Sequence, residues 1–462
     1  MRKLIVSKIA SYMILTFCLN GLLFAQERPF PQNIKYPYGF IPKTLDSDWL
    51  KSEYERWKKS QISSCGSNSI MIKSDQGSKV EAVGFGLLLF AYMAERTEFD
   101  HLFNFYKTNC NSGAGGLMGW IGQCNGNNNC SASDGDLDVA FALIVASWQW
   151  PDGGYVDKAK SVITNLKKVV GACGNVKAFH MGISGGNVYN GCNEVDISYY
   201  NPAAFREFAK LTGDNTWSQL ADDTYTILNA GANATTGLVA DRQSVSGNPS
   251  GNYAYDACRT PWRICLDYLW NGNEKAKAWC KKVSDWAYKI GPKNIRDGYS
   301  LSGSPTGGNH NMCFTGGFAI AAMANSQEMV DEFGTELRKL KDTYWFTFTL
   351  TPCYLLTLTG NQWRNDLKEK QETGNVVLKK NIPVRSNVSP AWNKFNRNLS
   401  IFGLKPGYSI AITNLSGKQL YRALASSEKE SIDLSRMKTG CAILTIMDRS
   451  RNIIKRELVS NL

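Results

Sequence analysis

Three short stretches concentrate side chains able to do acid–base chemistry. Ala132-Ser133-Asp134-Gly135-Asp136-Leu137-Asp138 sets three carboxyls at alternate positions before an apolar run that reaches Leu143. Helix capping would use Ser133 or Asp134, since acids favour the positive end of a helix. A calcium loop would need a glutamate downstream, and residues 141–149 carry no acid. Three carboxyls exceed what a cap needs, so catalysis and sugar binding stay open. Glu81 opens the small, apolar stretch Glu81-Ala82-Val83-Gly84-Phe85-Gly86-Leu87. Apolar surroundings raise a carboxyl pKa, which is the state a general acid requires. An ordinary first-turn glutamate would read the same way. The third stretch runs from Tyr253 to Ile264 and joins Asp256, Arg259 and Arg263 to Tyr253, Tyr255 and Trp262. Asp256 and Arg259 share a helix face at i, i+3, either as a structural ion pair or as a base held ionised.

The elements that must position these groups read as helices. Apolar residues recur at helical spacing over 47–60, 79–96, 98–108, 136–149, 156–170, 200–212, 216–230, 257–271, 274–290, 314–325, 327–341 and 346–359. Long Gly/Asn/Ser-rich connections, 109–134, 171–198, 231–255 and 291–313, separate alternate pairs. Loops of that length inside a compact domain usually carry function. The pattern predicts helical hairpins in a ring, with the long loops gathered on one face. Residues 363–398 read as a polar linker, broken by Pro383 and Pro390. From Leu399 the pattern changes to β-branched runs, 399–402, 409–412, 442–446 and 453–454, separated by turn residues, which predicts a small β-sandwich.

A chain of 462 residues with 43% apolar content can bury a large core. The net charge of +12 would suit a nucleic-acid partner, but its distribution argues against one. Residues 1–25 carry Arg2, Lys3 and Lys8 and no acid. From Lys379 onward, fifteen Lys and Arg face five acids. The region between them is therefore nearly neutral. Met1-Arg2-Lys3, the apolar run to Phe24 and Ala25 read as a signal peptide over 1–25, too short and interrupted for a membrane anchor. Phe17 before Cys18 is too large for a lipoprotein site. Loss of the leader leaves twelve of thirteen cysteines, a number compatible with six bridges of open connectivity. Three scattered histidines and the lack of any CxxC pair give no metal site, and no cofactor is expected.

Together the three acidic stretches resemble glycoside hydrolase family 8, the inverting β-glycanases. Ala132-Ser133-Asp134-Gly135-Asp136 matches that family's A-[ST]-D-[AG]-D signature, with Val139 as a conservative departure. The family acid motif V-S-E-G-x-G-Y-G-M is altered here to Lys79-Val80-Glu81-Ala82-Val83-Gly84-Phe85-Gly86-Leu87, with the glutamate kept. Tyr255-Asp256-Ala257-Cys258-Arg259-Thr260-Pro261-Trp262-Arg263-Ile264 matches closely, as do Ser198-Tyr199-Tyr200-Asn201-Pro202, Leu269-Trp270 and Asp297-Gly298-Tyr299-Ser300-Leu301. The resemblance spans about residues 35–362. It implies an (α/α)6 barrel over 26–362, in keeping with the helices counted above. It implies Glu81 as general acid, Asp256 as general base and Asp134 as the acid that binds and distorts the sugar. Arg259 would orient Asp256, and Tyr199 would help place the water. Trp120 and Tyr255 would meet the sugar, while Trp262 would pack beside the base. Inverting hydrolysis separates acid and base by ~6.5–9.5 Å to admit water.

The tail from 399 to 462 has its own resemblance. Ile412-Thr413-Asn414-Leu415-Ser416-Gly417-Lys418, Ser431-Ile432-Asp433-Leu434-Ser435 and Lys438-Thr439-Gly440 look like a type IX secretion C-terminal sorting domain. The usual aromatic after that glycine is replaced by Cys441. A carbohydrate-binding module would need aromatic platforms, and this tail has no Trp and only Tyr408 and Tyr421. The expected protein is a monomeric, secreted or surface-held endo-β-1,4-glycanase. Its partners are a β-1,4-linked polysaccharide and the outer-membrane secretion machinery. Glucan is favoured over xylan, and chitosan is least favoured because the central region is not acidic. A non-catalytic glycan-binding protein is the reading from another class, motivated by the altered neighbours of Glu81.

Overall fold

The computed structural model describes residues 28–367 and, further on, 389–393, 398–414, 419–433, 441–449 and 453–460. The expected leader 1–25, residues 368–388 of the expected linker, and positions 415–418 and 434–440 of the sorting motifs lie outside them. The chain divides into two compact units, Met1–Gln371 and Glu372–Leu462.

The described residues of the first unit hold twelve α-helices in six consecutive pairs. These are α1 Ser47–Gln61 and α2 Val80–Tyr92, α3 Arg96–Thr108 and α4 Ser133–Gln149, α5 Tyr155–Leu166 and α6 Pro202–Thr212. Then come α7 Asn215–Gly231 and α8 Thr260–Asn271, α9 Glu274–Ile290 and α10 Met312–Ala322, α11 Gln327–Leu337 and α12 Trp345–Leu358. The even-numbered helices pack in a closed series: α2 on α4, then α6, α8, α10, α12 and back to α2. Each odd-numbered helix flanks one of them: α1 on α12, α3 on α2, α5 on α4, α7 on α6, α9 on α8 and α11 on α10. Burial follows from sequence. Every residue of α10 is buried, as is every residue of α2 except Glu81. A helix that is apolar all round must be covered on all sides. α3 instead buries one stripe, Phe99, Leu102, Phe103, Phe105 and Tyr106, and turns its charged face outward.

The tightest crossing in this arrangement positions the site. A Cβ on Gly84 of α2 would meet the Asp138 Cβ and the Gly135 carbonyl oxygen, each at 2.7 Å. A Cβ on Gly135 of α4 would meet the Val80 carbonyl at 2.4 Å. Only glycine permits this approach, which sets the first turns of α2 and α4 side by side and brings Glu81 against Asp134.

Several expectations are corrected. Asp134 does not precede its helix: α4 begins at Ser133, because Ala132 is the last extended residue, and neither Ser133 nor Asp134 caps it. The helix expected over 257–271 begins at Thr260, preceded by a 3-10 turn over Ala257–Arg259. The packed unit also continues past 362. Trp363 is fully buried, and Arg364 bonds Asp366 and Asn271. Cysteine pairing is sparser than six bridges. Cys65–Cys124 and Cys173–Cys192 are joined, while seven other described cysteines are free. Cys265, Cys280, Cys313 and Cys353 sit buried on helices as small apolar side chains.

The second unit holds two antiparallel sheets. One orders Ser389–Asn393, Asn398–Phe402 and Lys429–Asp433. The other orders Gln419–Leu424, Ser409–Asn414, Cys441–Met447 and Ile453–Ser460. Leu399, Ile401 and Ile432 from the first share one cluster with Ile410, Ile412, Leu444 and Ile446 from the second. The strand at 389–393 falls inside the expected linker. Pro390 masked it, and it is tolerated because this strand lies at the sheet edge. No helix among the described residues is long and apolar enough to cross a membrane.

Candidate active site

The long loops of the helical unit converge on a cleft of about 720 Å³. Glu81, Trp120, Tyr199, Tyr255 and Asp256 all line it. Asp134 and Arg259 lie beneath, each 1% exposed. The structure thus brings together Glu81, Trp120, Asp134, Tyr199, Tyr255, Asp256 and Arg259, from stretches up to 178 positions apart in sequence, Glu81 to Arg259.

Arg259 is the hub. Its Nη1 donates to Asp134 Oδ2 at 2.5 Å and its Nη2 to Asp256 Oδ1 at 2.9 Å. Asp196 Oδ2 lies 3.7 Å from the same Nη2. One turn on, Arg263 grips Asp138 through both nitrogens at 2.5 and 2.6 Å. The i, i+4 spacing of Asp134 and Asp138 on α4 matches that of Arg259 and Arg263 across the interface, so two rungs form in register. A lone buried charge is strongly unfavourable, and these rungs supply the partners.

Glu81 stands apart from this network. It lies in the first turn of α2 with no ion pair among the described residues. Trp120 Nε1 approaches its Oε1 at 3.4 Å, and its buried Oε2 has no protein partner. Burial pushes its carboxyl up to about 8, and the neighbouring Asp134 charge adds to the rise. Burial also lifts Asp134 to about 6, opposed by Arg259 and Arg263. Asp134 Oδ1 is buried without a partner, while Oδ2 is held by Arg259. Asp256 is the open member of the set, its side chain 38% exposed.

Asp136, the third acid of the α4 stretch, points elsewhere. It accepts from the Tyr106 hydroxyl at 2.7 Å and the Met118 N–H at 3.0 Å, which fixes the loop before Trp120. Tyr255 donates its hydroxyl to Asp297 at 2.7 Å and its ring edge meets Phe314. The Tyr199 ring lies 5.5 Å from the Arg259 guanidinium. Trp262 is buried and donates to Thr357 and Gln362, a packing role.

Sequence reasoning missed several neighbours. Asp196 caps the 3-10 turn that carries Tyr199, accepting from the Ser198 N–H at 2.8 Å. Asp241 accepts three backbone N–H groups around Asp256. Lys79 sits between the rings of Trp120 and Trp345, 5.2 Å from each, and pairs with Asp75 at 2.9 Å. Trp345 lay just before the helix expected over 346–359 and was not singled out. The two aspartates lie in glycine-containing loops, with no local signal. No group of three or more His, Cys, Asp or Glu among the described residues could hold a metal ion.

Comparison with known proteins places this site in a family. The chain is 34% identical to Endoglucanase 2 of Ruminiclostridium josui over 386 residues, covering 78% of this chain and 82% of that one. Its fold matches the apo structure of a beta-1,3-1,4-glucanase from Paenibacillus sp. X4 with TM-score 0.66 and 27% identity, over 73% of this chain and 99% of that one. A family-8 xylobiose complex from Teredinibacter turnerae matches in fold, with TM-score 0.60, 18% identity and coverage of 70% and 95%. The model of a secretion system C-terminal sorting domain matches residues 389–460. The model of glycosyl hydrolases family 8 matches residues 29–366, so the chain belongs to that family and is a glycoside hydrolase.

Proposed function

We propose that the chain is an exported, inverting endo-β-1,4-glycanase whose preferred substrate is β-1,4-glucan, as cellulose or mixed-linkage glucan. The observation that carries this reading is the pair of carboxyls on one cleft in opposite environments. Glu81 is apolar-walled and uncharged near neutral pH, and Asp256 is open to solvent beside Arg259. Inverting hydrolysis needs that difference: one group gives a proton while the other takes one.

In this reading Glu81 protonates the glycosidic oxygen as the bond breaks. Asp256 removes a proton from the water that attacks C1 from the opposite face. Arg259 donates to Asp256 at 2.9 Å and orients it, and the Tyr199 ring borders the water's position. Asp134 Oδ1, unpartnered at the cleft floor, accepts from a sugar hydroxyl and favours the distorted ring. Trp120 and Tyr255 offer aromatic faces to neighbouring sugars. The scaffold is an (α/α)6 barrel, supported by the closed series of even-numbered helices and their outer partners. Residues 1–25 would direct export, and the unit containing 389–460 would engage the secretion machinery.

The names of the relatives support glucan, and the xylobiose complex supports xylan as the second reading. Reducing-sugar release from barley mixed-linkage glucan, carboxymethylcellulose and xylan separates them. The expected order is the two glucans above xylan. Release from none of the three would overturn the polysaccharidase reading. NMR of the first product formed should show the α-anomer, and an initial β-anomer would overturn inversion.

A further inference from the structure

The turn that carries Asp256 is held by a second carboxylate. Asp241 Oδ1 accepts the N–H of Ala254 at 3.0 Å, of Asp256 at 3.1 Å and of Ala257 at 2.8 Å. The Asp241 N–H donates to the Asn252 carbonyl at 2.8 Å. Tyr253 and Tyr299 exchange both backbone hydrogen bonds, at 2.9 and 3.0 Å. Asp241 is itself anchored. Residues Arg242–Gln243 pair with Pro249–Ser250, and Gln243 exchanges backbone bonds with Val195 at 2.7 and 2.9 Å. The backbone around the base is thereby tied at 252, 253, 254, 256 and 257, and one side-chain oxygen supplies three of the ties.

This arrangement carries an electrostatic cost. The Asp256 charge adds to the burial that raises the Asp241 carboxyl. Neighbouring carboxyls disfavour one another's charge, so a second acid at this turn points to a need for its acceptor geometry. Three convergent N–H groups are a good match for a carboxylate oxygen, because charge-assisted bonds are about twice as strong as neutral ones.

We propose that Asp241 is a positioning residue for hydrolysis: its Oδ1 fixes the turn so that the Asp256 carboxylate meets the attacking water. This inference rests on the reading of Asp256 as the base. Asp241 is not among the residues that line the cleft and acts through Asp256 and its Arg259 partner.

The test uses the full-length enzyme on barley glucan, with four variants and a thermal unfolding check of each. Asp241→Ala should lower kcat on the order of 10²-fold, as misplacement by about 1 Å can, with KM within about twofold. Asp241→Asn keeps an Oδ1 acceptor and should stay within about fivefold of the parent in kcat. In an Asp256→Ala background, Asp241→Ala should cost nothing further, because both act on the same proton transfer. Should Asp241→Ala fail to fold, Asp241→Ser replaces it, since its shorter hydroxyl cannot span the three N–H groups. Parent-like kcat in the folded Ala or Ser variant would overturn the proposal. So would a loss that multiplies fully with Asp256→Ala, or an Asn variant as impaired as the Ala one. Retained turnover in Asp256→Ala alone would overturn the base assignment and this inference with it. An inactive Asp256→Ala beside a parent-like Asp241→Ala would remove the inference and leave the base assignment standing.

Discussion

The two walls of the cleft hold the same functional group in different settings. On one side Glu81 begins a helix whose other residues are all buried. An indole N–H approaches its carboxyl at 3.4 Å. A helix N-terminus favours negative charge by roughly 0.3–1 kcal/mol, yet burial and the Asp134 charge prevail and keep the proton on. On the other side Asp256 sits on a turn, 38% exposed and 2.9 Å from a buried guanidinium. The lesson is that the reaction's asymmetry comes from what surrounds each carboxyl, not from the choice of Glu or Asp.

The sharpest way to break this comparison is to remove each carboxyl. Asp256→Ala should lower kcat by about 10²–10⁴-fold, equally for barley glucan and for an aryl cellobioside with an acidic leaving group. Glu81→Gln should cost a similar factor on glucan but much less on the dinitrophenyl cellobioside, whose departing phenolate needs no proton. Steady-state kinetics on both substrates reads the difference. Equal losses for Glu81→Gln on the two substrates would mean that Glu81 is not the acid.

A smaller effect tests the source of the Glu81 environment. In its proposed role Glu81 must be protonated to act, and its pKa is raised to about 8. Activity should therefore hold through neutral pH and fall as pH rises through about 8, since the carboxyl ionises there. Asp134 is the largest charge acting to keep Glu81 neutral, so Asp134→Asn should move that alkaline limb to lower pH as well as lower kcat. A pH–kcat profile with an unmoved limb would separate the Asp134 charge from the behaviour of the acid.

How much of this was readable beforehand differs between the two walls as well. Glu81, Asp134, Asp256 and Arg259 lay in three stretches whose residues left bland readings open, and the resemblance to a family gave them their roles; the 3.6-residue period located all twelve helices of the described residues. What the pattern could not carry is contact across the chain. Asp196 and Asp241 lie in loops, and they matter only because folding sets them against Arg259 and the 254–257 backbone. Trp345 stood one residue before the expected helix 346–359, and only the fold sets it at the cleft. The start of α4 was misplaced because Ser133 and Asp134 look like capping residues. The buried Arg259 pairs with Asp134 inside the helix instead. Counting cysteines overstated the bridges, because parity says nothing about whether a thiol is packed in a helix interface.

The smallest expected effect concerns the aromatic lining of the acid wall. Trp120 is 37% exposed, with Lys79 over its ring, and that ammonium also faces Trp345. The pair forms a braced indole wall, whereas the base side presents Tyr255 tied through its hydroxyl to Asp297. A ring face that stacks on sugar contributes to binding in ground and transition states alike, so its loss should appear in KM. Aromatic contacts of this kind amount to ~0.5–1.5 kcal/mol, so Trp120→Ala should raise KM for cellohexaose roughly two- to tenfold with kcat nearly unchanged. Trp120→Phe keeps a face but loses the N–H toward Glu81, and it should lie close to the parent in KM. If Trp120→Phe instead lowers kcat as much as it raises KM, the indole N–H acts on the acid. The acid wall would then resemble the base wall in depending on a hydrogen-bonded partner for its carboxyl.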